Sequence, residues 1–296
     1  MALLLIAMAG SVLAIMARRS VFDASDVKQA ELLLKQRWAS YSLSRSLLPQ
    51  AAELIKTFNE DNPDPDKGPL NTVRFEVQLG EAAYQVILSD EQAKANVNQL
   101  LKNKGNTSDT AQAIRSLMEA ARVQDMPAIE LKPYAWEDNP EIANVHTLGQ
   151  VFHEVDPAKL LSNDDEQTAV LDALTCWTDG KLNIHTASPE VLKAVCTPLI
   201  TRGQIDKLID ARKSDPKISL AAALTAAGIA KDNLEKIKPL FTDQSTFHSL
   251  WITARTDRRT RYWLTVAQQQ KTAKNKSQTP HQHAQTGKLI TADFEW

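Results

Sequence analysis

The sequence predicts an α+β protein: a long N-terminal helix, an antiparallel β-sheet, and a large helical segment placed between the strands of that sheet. Three observations predict it. An uncharged apolar run at the start passes into an amphipathic stretch with no Gly or Pro from Ser11 to Leu48. Segments of strict polar/apolar alternation stand near residue 80 and again near residue 255. Helical patterning fills the interval between them.

The apolar run, Met1 to Ala17, carries no charge and meets Arg18 and Arg19. Seventeen residues of helix reach roughly 25 Å, slightly less than a bilayer core of about 30 Å, so residues 1–19 are expected to form a membrane helix. A secretory signal peptide would place its basic residues before the run, and here they follow it. Two arginines after the run draw that end toward the cytoplasm, opposing a body on the far side of the membrane. A basic leader ahead of Met1 would remove the conflict, and the charges alone leave orientation open. Beyond the run, Val27, Ala30, Leu34, Trp38, Tyr41, Leu48 and Ile55 recur at helical spacing and predict one apolar stripe. Lys28, Glu31, Lys35, Arg37 and Arg45 fall mainly off it and are expected to be a solvated face.

The stretch NEDNPDPDKGPLN from Asn59 to Asn71 is rich in turn residues and predicts the end of the helix. Its Asp61, Asp64 and Asp66 offer oxygens of the kind calcium takes, without the spacing of a calcium loop. Thr72–Leu79 and Ala83–Leu88 then read as a β-hairpin. From Asp90 to Ser249 the pieces are helical, with Asp156-Pro157 and Ser188-Pro189-Glu190 as helix starts. Phe247–Ala254 and Arg261–Ala267 restore the alternation of paired strands. Residues 271–288 form a polar, compositionally biased loop read as disordered, and Leu289–Trp296 closes the sheet. The expected organisation is therefore 1–19, 20–89, 90–240 and 241–296.

Function classes narrow by exclusion. With 34 Lys and Arg against 36 Asp and Glu, no excess positive charge exists to neutralise a nucleic-acid backbone. No Ser-His-Asp arrangement, HExxH helix or Gly-rich phosphate loop appears, so no enzyme activity is expected. His281 and His283 sit in the polar loop and are read as incidental to metal binding. Cys176, His185 and Cys196 lack the close cysteine pairs of a structural zinc site.

Two stretches resemble a known family. DEQAKANVNQLL from Asp90 looks like the opening of the helical domain in the type II secretion protein K family, the K-type minor pseudopilins. TLGQVFHEVDPAKLL from Thr147 and DGKLNIHTASPEVLKAV from Asp179 are similar to its second signature, with His185 where the family usually has Asn. The family residues present are Asp90, Asn96, Asn98, Asn183, Thr186, Ser188 and Pro189. Asn96, Asn98 and Asn183 are expected to bond neighbouring backbone where extended chain turns into helix.

The resemblance covers essentially the whole chain. It implies a pilin-like spine and sheet with an inserted helical domain of SAM-like or helix-hairpin-helix-like type. It also implies an inner-membrane protein processed, with methylation, by the prepilin peptidase, with a periplasmic head and with the I-type and J-type minor pseudopilins as partners. Most pilin-like proteins carry Glu at mature position five, whereas the K type does not. Leu5 fits that departure if Met1 is the mature first residue, and it implies a tip subunit acting in secretion across the outer membrane. No cofactor is required, and calcium, which the resemblance associates with such heads, maps to no residues here. An oxidising periplasm also makes a disulfide between Cys176 and Cys196 possible, the alternative being two buried thiols. The second reading is a membrane-anchored helix-hairpin-helix DNA-binding protein of the competence type, since LNIHTASPEVLKAV is close to the opening of that domain. Against it, Thr197 to Gln204 offers one late glycine, Gly203, to bring backbone amides to phosphate.

Overall fold

A computed structural model describes residues 2–61, 69–80, 82–123, 126–136, 139–161, 168–197, 199–256, 259–269 and 289–295. The chain divides into two compact units, Met1–Ser46 and Leu47–Trp296.

The first unit is the body of helix α1, Ala2–Leu47, whose 46 residues correspond to about 70 Å of helix. The side chains of residues 1–15 lie outside those described, Leu5 among them. Among the described residues no helix is long and apolar enough to cross a membrane. The stripe differs from expectation: Val27, Leu34, Trp38 and Tyr41 are exposed, whereas Gln36, Ser40, Leu43 and Ser44 are buried. Hydropathy misses this face because small and polar side chains form most of it. The outward aromatics have local partners: Trp38 meets Tyr41 edge-on, and Arg45 lies over the Tyr41 ring and donates to its hydroxyl.

The second unit opens with a single 3-10 turn, Leu48–Gln50, before helix α2, Ala51–Asp61. Pro49 has no N–H to continue an α-helix, and Gln269 donates to the carbonyls of both Leu48 and Pro49 at 3.1 Å. Asn59 then holds the returning chain by bonding both the N–H and the carbonyl of Leu70. Of the three linker carboxylates, Asp61 ends α2, and Asp64 and Asp66 lie outside the described residues.

Five antiparallel strands follow, β1 (Thr72–Leu79), β2 (Ala82–Asp90), β3 (Phe247–Arg255), β4 (Thr260–Gln269) and β5 (Leu289–Glu295), lying side by side in that order. Period-two alternation puts two different rows on the two faces. Val86, Ile252 and Trp263 share one face with Leu88 and Leu250, and α2 packs on β2 with Leu48, Ala51 and Ile55 buried. The opposite face carries Ile87, Trp251, Leu264 and Phe294 in one row. That row belongs to the core of the helical segment. Being covered on both sides, β3 is buried from Phe247 through Ala254, which explains why Leu250, Trp251 and Ile252 are apolar at successive positions.

Between β2 and β3 run helices α3 (Val97–Lys104), α4 (Thr107–Ala120), α5 (Pro157–Leu161), α6 (Val170–Ala173), α7 (Pro189–Cys196), α8 (Arg202–Ser214), α9 (Leu220–Ala226) and α10 (Lys231–Ile237). Asp156 and Ser188 cap α5 and α7 by accepting from the N–H groups of Ala158 and Val191. Thr201 and Gln204 form a capping box at the start of α8. Two short parallel pairings brace the segment, Ala95–Asn96 with Leu174–Thr175 and Leu182–Asn183 with Phe241–Thr242. Two-residue strands leave too little alternation to be legible in sequence. The residue 90 and residue 240 boundaries thus mark a change of secondary structure within one unit rather than separate bodies, because Trp251, Leu264 and Val266 of the sheet share the core of Leu100, Ile114, Leu171 and Val191. The loop 271–288 lies outside the described residues, and with it His281 and His283.

Trp251 is 2% exposed at the centre of this shared core, so Trp251→Ala is expected to cost about 3–5 kcal/mol. Denaturant unfolding should show that loss. Ser188→Ala, removing one cap, should cost about 1 kcal/mol in the same measurement.

Candidate functional site

Where β2 ends, the chain turns sharply out of the sheet, and nearly every side chain of that turn is polar and buried. Asp90 closes the strand, Glu91–Ala93 form one 3-10 turn, and Lys94 leads through Ala95–Asn96 into α3. Exposures of 3% for Asp90, 0% for Glu91, 2% for Gln92 and 1% for Lys94 make this the most charged interior on the described chain. Burial of that kind is tolerated only where partners replace water.

All of these side chains but Lys94, which pairs with Glu91 three residues earlier, reach a distant part of the sequence. Asp90 Oδ1 accepts from the N–H of Gln92 at 2.9 Å, while Oδ2 accepts from Asn183 Nδ2 at 3.0 Å and Thr186 Oγ1 at 2.6 Å. Glu91 Oε1 accepts from Lys94 Nζ and from Ser249 Oγ. Gln92 donates to Asp179 Oδ1 and accepts from the N–H of Thr246, both at 2.8 Å. Asn96 caps α3 by accepting from the N–H groups of Asn98 and Gln99, and its amide donates to the carbonyl and hydroxyl of Thr178. Asn98 exchanges bonds with the backbone of Val145 and donates to the carbonyl of Cys176. The turn therefore joins residues 145, 176–186 and 245–249, so that the chain leaving the sheet is tied to the chain coming back.

Around this buckle the backbone is held as well. Asn183 Oδ1 accepts from the N–H of His185, and Arg212, itself buried, donates to the carbonyls of Ile184 and Ala187. These bonds shape the turn ahead of Ser188 and Pro189, the first residues of α7. Gly180 sits at φ +82, where a Cβ would also lie 2.9 Å from Gln99 Oε1, so glycine suits the turn beside Asp179. His248, cross-strand partner of Asp90, is 1% exposed, and its Nδ1 meets no partner among the described residues. Burial pulls its pKa below the ordinary histidine value, against the opposing pull of Asp90 and Glu91. Half-buried His185 is likewise lowered, chiefly by desolvation.

The residues that carry the sequence resemblance thus converge: Asp90, Asn96, Asn98, Asn183 and Thr186 share one network, and Ser188 and Pro189 start the adjoining helix. Glu91, Gln92, Lys94, Asp179, Thr246 and Ser249 complete it, with His248 buried beside it, and sequence patterning does not mark them. A charged run between a strand and a helix reads as a solvated turn, and nothing in hydropathy marks it as interior. Cys176 and Cys196, the pair between which a disulfide is possible, are free, buried thiols in this structure. Desolvation pushes both upward in pKa, with Glu91 adding to the effect at Cys176. Each is part of the apolar core, which accepts a thiol as a small hydrophobe. Among the described residues no group of three or more His, Cys, Asp or Glu could hold a metal, so no calcium ligands are assigned.

No family model matches the chain, and no curated protein matches it. Among solved structures it is similar to a chain of the GspK-GspI-GspJ complex from the enterotoxigenic Escherichia coli type 2 secretion system, at a TM-score of 0.45 and 11% identity, over 91% of this chain and 99% of that one. At that score and identity the likeness carries no argument of its own.

The Glu91–Lys94 pair is fully buried on both sides. Lys94→Met alone should strand the carboxylate and cost about 3–5 kcal/mol, whereas Glu91→Met with Lys94→Met removes both charges and should recover most of the loss. Thermal unfolding distinguishes the two; a double variant as unstable as the single would contradict the pairing.

Proposed function

We propose that the chain is a non-enzymatic minor pseudopilin of the K type, acting in type II secretion as the tip subunit of the pseudopilus. The observation that carries the reading is the run DEQAKANVNQLL from Asp90, which resembles the opening of the K-type helical domain and whose side chains knit the turn out of the sheet. Two further features are consistent with it: a long N-terminal helix ahead of an antiparallel sheet, and a helical segment between the second and third strands. The apolar run Met1–Ala17 would anchor the chain in the inner membrane, with the remainder in the periplasm and the prepilin peptidase as processing enzyme.

The tip assignment rests on Leu5 being the fifth residue of the mature chain. In pilin-like filaments, as the resemblance implies, Glu at position five of one subunit meets the terminal amine of the neighbour nearer the tip. A subunit with no neighbour beyond it has no amine to neutralise, and an unpaired carboxylate in the bilayer costs on the order of a few kcal/mol. Leucine avoids that cost. The reading requires no cofactor and no nucleic acid.

A DNA-binding role is the less favoured reading. Gly203 lies within the first turn of α8, not in the connection from α7, so it leaves no glycine-rich hairpin at the phosphate-binding position. Acidic Asp206 faces Lys193 across the same hairpin at 3.1 Å.

A chain lacking residues 1–19 is expected to co-purify with the I-type and J-type minor pseudopilins. Labelled full-length chain should appear once per filament, at one end. Failure to bind either partner would reject the pseudopilin reading, and distribution along the shaft would reject the tip position.

A further inference from the structure

The buried turn contains a titratable group that its hydrogen bonding leaves unused. His248 lies in β3 directly between Asp90 of β2 and Ala267 of β4, at the point where the helical segment departs from and returns to the sheet. Its ring is 1% exposed, and Nδ1 has no partner among the described residues. Glu91 Oε2 nearby is also buried without a partner among the described residues. A neutral imidazole fits such a place, and an imidazolium would add a buried charge beside an ion pair that is already complete.

The charged groups around it are few. β2 contributes Asp90, whose oxygens are taken by Gln92, Asn183 and Thr186. The 3-10 turn contributes Glu91, whose Oε1 is taken by Lys94 and Ser249 while Oε2 has no partner among the described residues. From β4, Ala267 and its neighbours Gln268 and Gln269 bring no charge, and neither does the Leu48–Gln50 turn that packs on β3. Asn183, Ser245 and Thr246 complete the surroundings as neutral groups. Protonation therefore places a further cation in a site with almost no water, where the pull of Asp90 and Glu91 offsets the lost hydration only in part.

We propose that this junction is an acid-released catch, in which protonation of His248 loosens the turn 90–98 from residues 245–249 and frees the start of the helical segment from the sheet. The inference stands whether or not the chain serves in secretion. Its sign follows from burial: the closed junction holds His248 neutral, with a pKa below the usual 6.5, while the opened junction lets it titrate normally. Below pH 6.5 the open form binds more protons, so closure is fully favoured above that value and weakens as pH falls toward the depressed value of the closed state. One unit below the ordinary pKa, opening should rise by up to about tenfold.

Hydrogen exchange on the full-length chain at pH 7.5 and pH 5.5, corrected for intrinsic rates, tests this. Residues 90–98 and 245–249 are expected to lose protection at the lower pH by up to about tenfold, while the β3–β4 centre around Trp251 and Leu264 keeps its protection. His248→Gln, uncharged at both pH values, should abolish the difference. Equal protection of the wild-type segments at both pH values would overturn the proposal, as would a difference that persists in His248→Gln. Should that variant fail to fold, imidazole titration of the wild-type chain by NMR decides: a transition below the ordinary range accompanied by shifts in residues 90–98 supports the catch, and any other outcome rejects it.

Discussion

The architecture depends on two consecutive carboxylates that have lost their water. Asp90 ends a strand inside the protein and Glu91 follows it, and each is stable there only because other side chains supply donors: the distant Asn183 and Thr186 for the first, the nearby Lys94 and distant Ser249 for the second. Apolar contact is non-directional and would allow the helical segment to settle on the sheet in several ways. Buried polar groups permit one arrangement, because any other leaves a charge unpaired. The apolar core shared by Trp251, Leu264 and Leu100 supplies the attraction, and the turn at residue 90 selects the register.

Much of this was legible in the residues and some was not, for identifiable reasons. The hairpin of β1 and β2 was readable because the alternation of TVRFEVQL has no helical counterpart, whereas β3, buried at eight successive positions, does not carry it. Proline after an oxygen-bearing side chain marked the starts of α5 and α7, since the cap and the ring act locally. The buried face of α1 was missed because Gln36, Ser40 and Ser44 are not apolar. Lys94 is the sharpest case: a lysine is almost always solvated, and only the tertiary placement of Glu91 and Ser249 makes its interior position tolerable. The two cysteines were ambiguous for a related reason, because a thiol in a core and a half-disulfide have the same sequence signature.

Within the proposed role, a buried polar turn has a use beyond stability. The turn holds sheet and helical segment in one relation, which covalent connection at the strand ends alone would leave loose. The same turn brings Asp90, Asn96, Asn98, Asn183 and Thr186 together, which gives their placement a mechanical reading. His248, placed beside them with no partner for Nδ1 among the described residues, is the group through which the proposed catch responds to acid.

The most direct test of the central claim is the coupling energy between Asp90 and Asn183, which are 93 residues apart in sequence and 3.0 Å apart across the turn. Unfolding free energies of Asp90→Ala, Asn183→Ala and the double variant give it. If the turn ties the helical segment to the sheet, the two substitutions are strongly non-additive, with a coupling of about 1–3 kcal/mol. Losses that simply add would contradict the account, leaving the apolar core alone to hold the two parts together.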